Sequence, residues 1–196
     1  MEPPGKAWAT VREIALDALE LPEPRHLLEW LMHPNLRHLK ALIRVPPRLV
    51  RELCKWPLPV KRVGVVSRGP DNGLWARTPE IFTWLEALPH LAQVEVSPAF
   101  PKDVALCANS SLATRLERFE ARAPELWSLV ARPSGEFVVE AWLQRAEHTH
   151  DLARALRGAA GFGSGALRLY VKPDVGPADR STLRKAAVPY VPVEWA

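Results

Sequence analysis

A six-residue pattern, apolar-x-x-apolar-x-apolar, recurs along the chain. It appears as Leu36-Arg-His-Leu39-Lys-Ala41, Val60-Lys-Arg-Val63-Gly-Val65, Leu91-Ala-Gln-Val94-Glu-Val96 and Leu116-Glu-Arg-Phe119-Glu-Ala121. It returns as Ala166-Leu-Arg-Leu169-Tyr-Val171 and Val188-Pro-Tyr-Val191-Pro-Val193, with an imperfect copy, Glu136-Phe-Val-Val139-Glu-Ala141, in between. The fourth positions fall at 39, 63, 94, 119, 139, 169 and 191. Apolar residues two apart within each copy read as a short strand with one buried face.

Helical spacing fills the gaps between copies. The i, i+3, i+4 recurrence of apolar residues predicts helices at Arg48 to Trp56, Pro79 to Leu88, Lys102 to Ala108, Pro124 to Ala131, Thr149 to Arg157 and Ala178 to Ala187. Two longer intervals hold insertions, one from Ser67 to Ala76 and one from Gly158 to Gly165. The first 35 residues read differently: Ala9 to Leu19 and Arg25 to Met32 are expected to form two amphipathic helices that cap a repeat array, or else an independent partner-binding arm.

Alternating helices and strands also describe a doubly wound sheet, whose strands are apolar on both faces. Here polar residues alternate with the apolar ones: Lys40, Lys61, Arg62, Glu95, Arg118, Glu120 and Glu140 all fall on the other side of their strands. The expected class is therefore α/β, a right-handed solenoid with a one-sided, mostly parallel sheet of about seven short strands over residues 36–196, and helices on the convex side.

The strand motif, the spacing of 20 to 31 residues between copies and the helical returns resemble the leucine-rich repeat family in a degenerate bacterial form. The family's Asn or Cys three residues past the last apolar position is replaced by Arg44, Arg68, Ala99, Pro124, Gln144 and Asp174. The resemblance implies a concave sheet face used for protein–protein interaction, and no catalytic residues.

Composition narrows the class without naming a partner. The chain has 196 residues, 47% hydrophobic and 24% charged, with a net charge of +4, which is ordinary for a globular protein. Cys54 and Cys107 supply no disulfide framework, so a reducing compartment is expected. No signal-peptide pattern and no apolar run of about 18 residues occurs, which predicts a cytoplasmic protein that does not contact membrane.

Candidate chemistry is sparse. The run Gly158-x-x-Gly161-Phe-Gly163-Ser-Gly165 follows a helix and precedes a strand, the reverse of a phosphate loop, and reads as a helix C-cap with an insertion. Glu147-His148-Thr149-His150 lacks further ligands at diagnostic spacing and reads as a surface turn. No cofactor, metal or catalytic residue is expected.

The outward strand positions instead predict a graded surface. Arg37, Lys40, Lys61 and Arg62 make a basic part, Glu95, Glu120 and Glu140 form a column beside Arg118, and Trp142, Tyr170 and Tyr190 add an aromatic end. The carboxylates either pair with arginines across strands or receive a basic segment of another protein. Another protein is the expected partner, with self-association through the C-terminal strand as an addition and a nucleic acid on the basic part as the rival reading.

Overall fold

The computed structural model describes residues 9–16, 29, 31–36, 39–45, 50, 53–55, 58–66, 78–133, 137–163, 165–171 and 175–196. The chain divides into two compact units, 1–93 and 94–196. The described residues form an α/β protein whose strand pairings are mostly parallel.

In the first unit, β1 (Glu13–Ala15), β2 (Ala41–Val45) and β3 (Arg62–Val66) lie side by side in chain order and run parallel, and helix α1 spans Thr78–Ala87. Each hexad starts before its strand. Leu36 and Val60 are buried ahead of β2 and β3, which begin at the last position of the first hexad and at the third position of the second. The Lys61 N–H donates to the Lys40 carbonyl at 2.7 Å, and the Ala92 and Gln93 N–H groups donate to the Lys61 carbonyl at 2.8 and 2.9 Å. Helix α1 buries Ile81, Phe82, Trp84 and Leu85, the stripe its apolar spacing predicts.

In the second unit the strand order is β4 (Gln93–Ser97), β5 (Arg118–Ala123), β6 (Trp127–Arg132), β7 (Val138–Leu143), β8 (Ala166–Val171) and β9 (Val193–Trp195). Helices α2 (Pro101–Ala108), α3 (Thr149–Ala159) and α4 (Pro177–Ala187) pack as neighbours in one layer, with α3 against β6 and β7. The alternation of the strands decides which face they cover. Phe119, Ala121, Trp127, Leu129, Val139, Ala141, Leu167 and Leu169 are buried on the helix side, where each large side chain contributes about 1.5–3 kcal/mol. Close approach supplements this burial: a Cβ on Gly158 would sit 3.1 Å from the backbone of Ala105, so α3 meets α2 at a position with no side chain.

Three expectations change. Pro124 to Ala131, expected as a helix, is a hairpin turn followed by β6, which pairs antiparallel with both β5 and β7. The loop is only Pro124, Glu125 and Leu126, too short for a crossover, and Glu125 takes the left-handed conformation (φ 62°) with the Leu126 N–H donating to Ala123. Helical spacing misled because Trp127, Leu129 and Ala131 also satisfy a period of two. Ala9 to Leu19, expected as a capping helix, contains β1, held by parallel pairing to β2. Nine strands are described where about seven were expected, the additions being β1 and β6. Much of the expected helices Arg25 to Met32 and Arg48 to Trp56 lies outside the described residues.

The glycine-rich segment links α3 to β8, but Gly158 lies inside α3, which is capped at Ala160 and continues as a 3-10 turn, Ala160–Phe162, that ends at Gly163. Gly163 has φ 141°, and a Cβ on Gly165 would come within 2.3 Å of the Phe137 carbonyl oxygen and ring. Gly165→Ala is therefore expected to lower stability by about 1–3 kcal/mol, as overpacking does. The urea midpoint measures this, and an unchanged midpoint would mean that the segment does not approach β7 so closely.

Candidate functional site

The opposite face of the second unit's sheet carries the polar positions. Register places Arg122, Ser128, Trp142 and Tyr170 opposite one another in a row across β5 to β8. A parallel row runs Glu120, Val130, Glu140, Arg168 and Glu194 across β5 to β9. The first row, with Glu120, Val130 and Glu140 of the second, lines a recess of about 790 Å3, bounded further by Ser97, Arg118 and the Ala123–Pro124 turn.

Ion pairs tie the charged positions into two chains. In one, Glu120 accepts from Arg122 Nε through Oε1 and from Arg118 Nη2 through Oε2 at 3.0 Å, and Arg122 Nε lies 3.8 Å from Glu95 Oε1. In the other, Glu140 pairs through Oε2 with Arg132 at 2.9 Å and through Oε1 with Arg168 at 3.7 Å, and Arg168 Nε donates to Glu194 at 3.1 Å. Burial pushes the Glu120 carboxyl up, but the hydrogen bonds and charges of Arg122 and Arg118 outweigh it, so it titrates below its ordinary value.

The aromatic part is one stacked pair. The ring centroids of Trp142 and Tyr170 lie 5.1 Å apart with planes 6° from parallel. The two residues are directly opposite on adjacent strands, and their ring separation is close to the strand spacing of about 4.8 Å. The rings therefore stand on edge on the sheet, faces against each other and edges outward.

Of the residues expected to bind a partner, Glu95, Glu120, Glu140, Arg118, Trp142 and Tyr170 come together on this face. Tyr190 does not. It precedes β9, is 2% exposed, and its hydroxyl donates to the Leu156 carbonyl of α3 in the core, where burial raises its pKa. The expected strand Val188 to Val193 would have turned Tyr190 outward, but pairing with β8 begins only at Val193.

In the first unit, Lys40, Lys61 and Arg62 are exposed, as expected for the basic part, although Arg62 pairs with Glu13 at 3.4 Å. Arg37 lies outside the described residues. His148 sits in the turn that starts α3, 3.4 Å from Glu147 and 3.5 Å from Asp151. Cys107 is buried in α2 and Cys54 is exposed. Among the described residues no three His, Cys, Asp or Glu side chains group as a metal site, and no helix is long and apolar enough to cross a membrane.

Sequence reasoning omitted Ser128, Arg132 and Arg168 from the site. Ser128 fell inside the expected helix and Arg132 directly after it, whereas the alternation of Leu167, Arg168 and Leu169 was a usable signal for the third. No protein-family model, curated protein or solved structure matches the chain.

A carboxyl whose folded pKa is depressed stabilises the protein above its unfolded pKa, and that contribution is lost as pH falls through the lower folded value. With the ordinary value at 4.5, wild-type stability is expected to fall more steeply below that pH than the stability of Glu120→Gln. Urea unfolding of both proteins between neutral pH and about pH 3 checks this. Parallel profiles would show that the arginines do not hold Glu120 ionised.

Proposed function

We propose that this chain is a non-catalytic protein-interaction module or accessory subunit that presents the open sheet face of its second unit to another protein. The observation that carries the reading is the Trp142–Tyr170 stack standing beside a charged recess on that face. Large aromatic side chains held rigid at a concave surface are the groups that supply most of the free energy at protein interfaces.

We further propose a leucine-rich-repeat-like architecture, a right-handed one-sided stack with its helices on the convex side. Strands adjacent in chain order, parallel pairing along β1–β2–β3 and β7–β8–β9, and neighbouring helices α2 to α4 support it. The antiparallel β5–β6–β7 hairpins are a departure from such a repeat. A cytoplasmic location accords with two free cysteines.

The rival reading, nucleic acid on the basic residues of the first unit, has less support because Glu13 offsets Arg62. Self-association through β9 accords with exposed Val188, Val191 and Trp195 near that strand.

Affinity capture from the native host is expected to recover partners with wild type and to lose them with the double variant Trp142→Ala/Tyr170→Ala. Equal recovery of the same partners by both proteins would remove the face from the account.

A further inference from the structure

The column Glu95, Glu120 and Glu140 suggests a basic partner, but the packing of the face reverses its polarity. The three carboxylates are sunk, with side chains 11 to 21% exposed, whereas the arginines paired with them are 39 to 52% exposed; Glu194, at the sheet edge on β9, is the exposed carboxylate of the face. Both oxygens of Glu120 and both oxygens of Glu140 already face an arginine. A lysine or arginine arriving from a partner would have to displace one of them.

The guanidinium groups are placed differently. Each carries five N–H donors. The ion pairs of the face engage Nη2 of Arg118, Nε of Arg122, Nη1 of Arg132, and Nε and Nη1 of Arg168. Donors beyond those pairs are carried at the exposed ends of the side chains, where a carboxylate can take them without breaking a pair. The Trp142–Tyr170 stack lines the same recess as Arg118 and Arg122.

The accessible apolar share of the site is the half-buried Trp142–Tyr170 pair, and buried Val130 lines the same recess.

Resting on the interaction reading above, we propose that this recess takes an acidic segment of another protein carrying an apolar or aromatic side chain. Its carboxylates bond the outward guanidinium groups of Arg118 and Arg122 in the recess and of Arg132 and Arg168 beside it, and its apolar side chain packs against Trp142 and Tyr170. A single-stranded nucleic acid fits less well. The inner faces of Trp142 and Tyr170, which base stacking would use, are already against each other.

The test is selection from a random peptide library on the immobilised full chain, with Trp142→Ala/Tyr170→Ala and Arg168→Gln proteins in parallel. A single-stranded oligothymidine serves as competitor, and circular dichroism confirms that each variant is folded. Removing Arg168 takes away its pairs to Glu194 and Glu140 Oε1 but leaves the pairs of Glu120 and the Arg132–Glu140 pair intact.

Peptides rich in Asp and Glu with one apolar or aromatic residue are expected to be enriched on wild type. They should lose roughly tenfold or more in affinity on Arg168→Gln, the scale of one charge-assisted hydrogen bond, and should resist the oligonucleotide. Enrichment of basic or neutral peptides that still depends on Trp142 and Tyr170 would overturn the acidic partner and leave the interaction face standing. Displacement of the peptides by oligothymidine would overturn it in favour of a nucleic acid. Enrichment that is absent, or indifferent to Trp142 and Tyr170, would remove the face and the acidic partner together.

Discussion

The second unit depends on one constraint, the two-residue period of its strands. Successive side chains of a strand point to opposite faces, so a one-residue slip would exchange the two sets completely. Here the odd positions of β5 to β8 carry Phe119, Trp127, Leu129, Val139, Leu167 and Leu169, and burying them under α2, α3 and α4 fixes the register. The even positions are thereby left on the other side. The polar face is the complement of the core, and its residues stand in rows because the core set that register.

Charge on such a face has to be balanced locally. Glu120 is nearly as buried as the core and would be costly alone, since removing one partner of a buried pair exposes the full desolvation cost of the other. Arg118 and Arg122, two residues away on either side along β5, share its face and reach it from both directions. Glu140 is satisfied across strands by Arg132 and Arg168. The carboxylates thus sit low and the longer guanidinium side chains lie over them, an order that charge counting along the sequence does not reveal.

The fold was legible where local periodicity and long-range pairing agree. The hexads around Val63, Val94, Phe119, Val139 and Leu169 each contain a strand, because their alternating apolar residues need a covered face. Helices α1 to α4 were legible for the same reason. Residues 124–131 were not, because Trp127, Leu129 and Val130 suit a helix and a strand alike, and only the tight turn at Glu125 and pairing to β5 and β7 decide between them. Of the site, Glu95, Glu120, Glu140, Trp142 and Tyr170 could be read from alternation. Tyr190 could not be excluded, because its hydrogen bond to Leu156 joins residues 34 apart in sequence. The depth of each charge likewise depends on side-chain packing across strands.

The central claim is that the open sheet face of the second unit, rather than its helical face, meets the partner. The most direct measurement is photo-crosslinking in the native host, with a benzophenone side chain placed either at Ser128, in the row with Trp142, or at exposed Leu106 on α2. Discrete protein adducts are expected from position 128 and none from position 106. Adducts from position 106 with none from position 128 would contradict the claim.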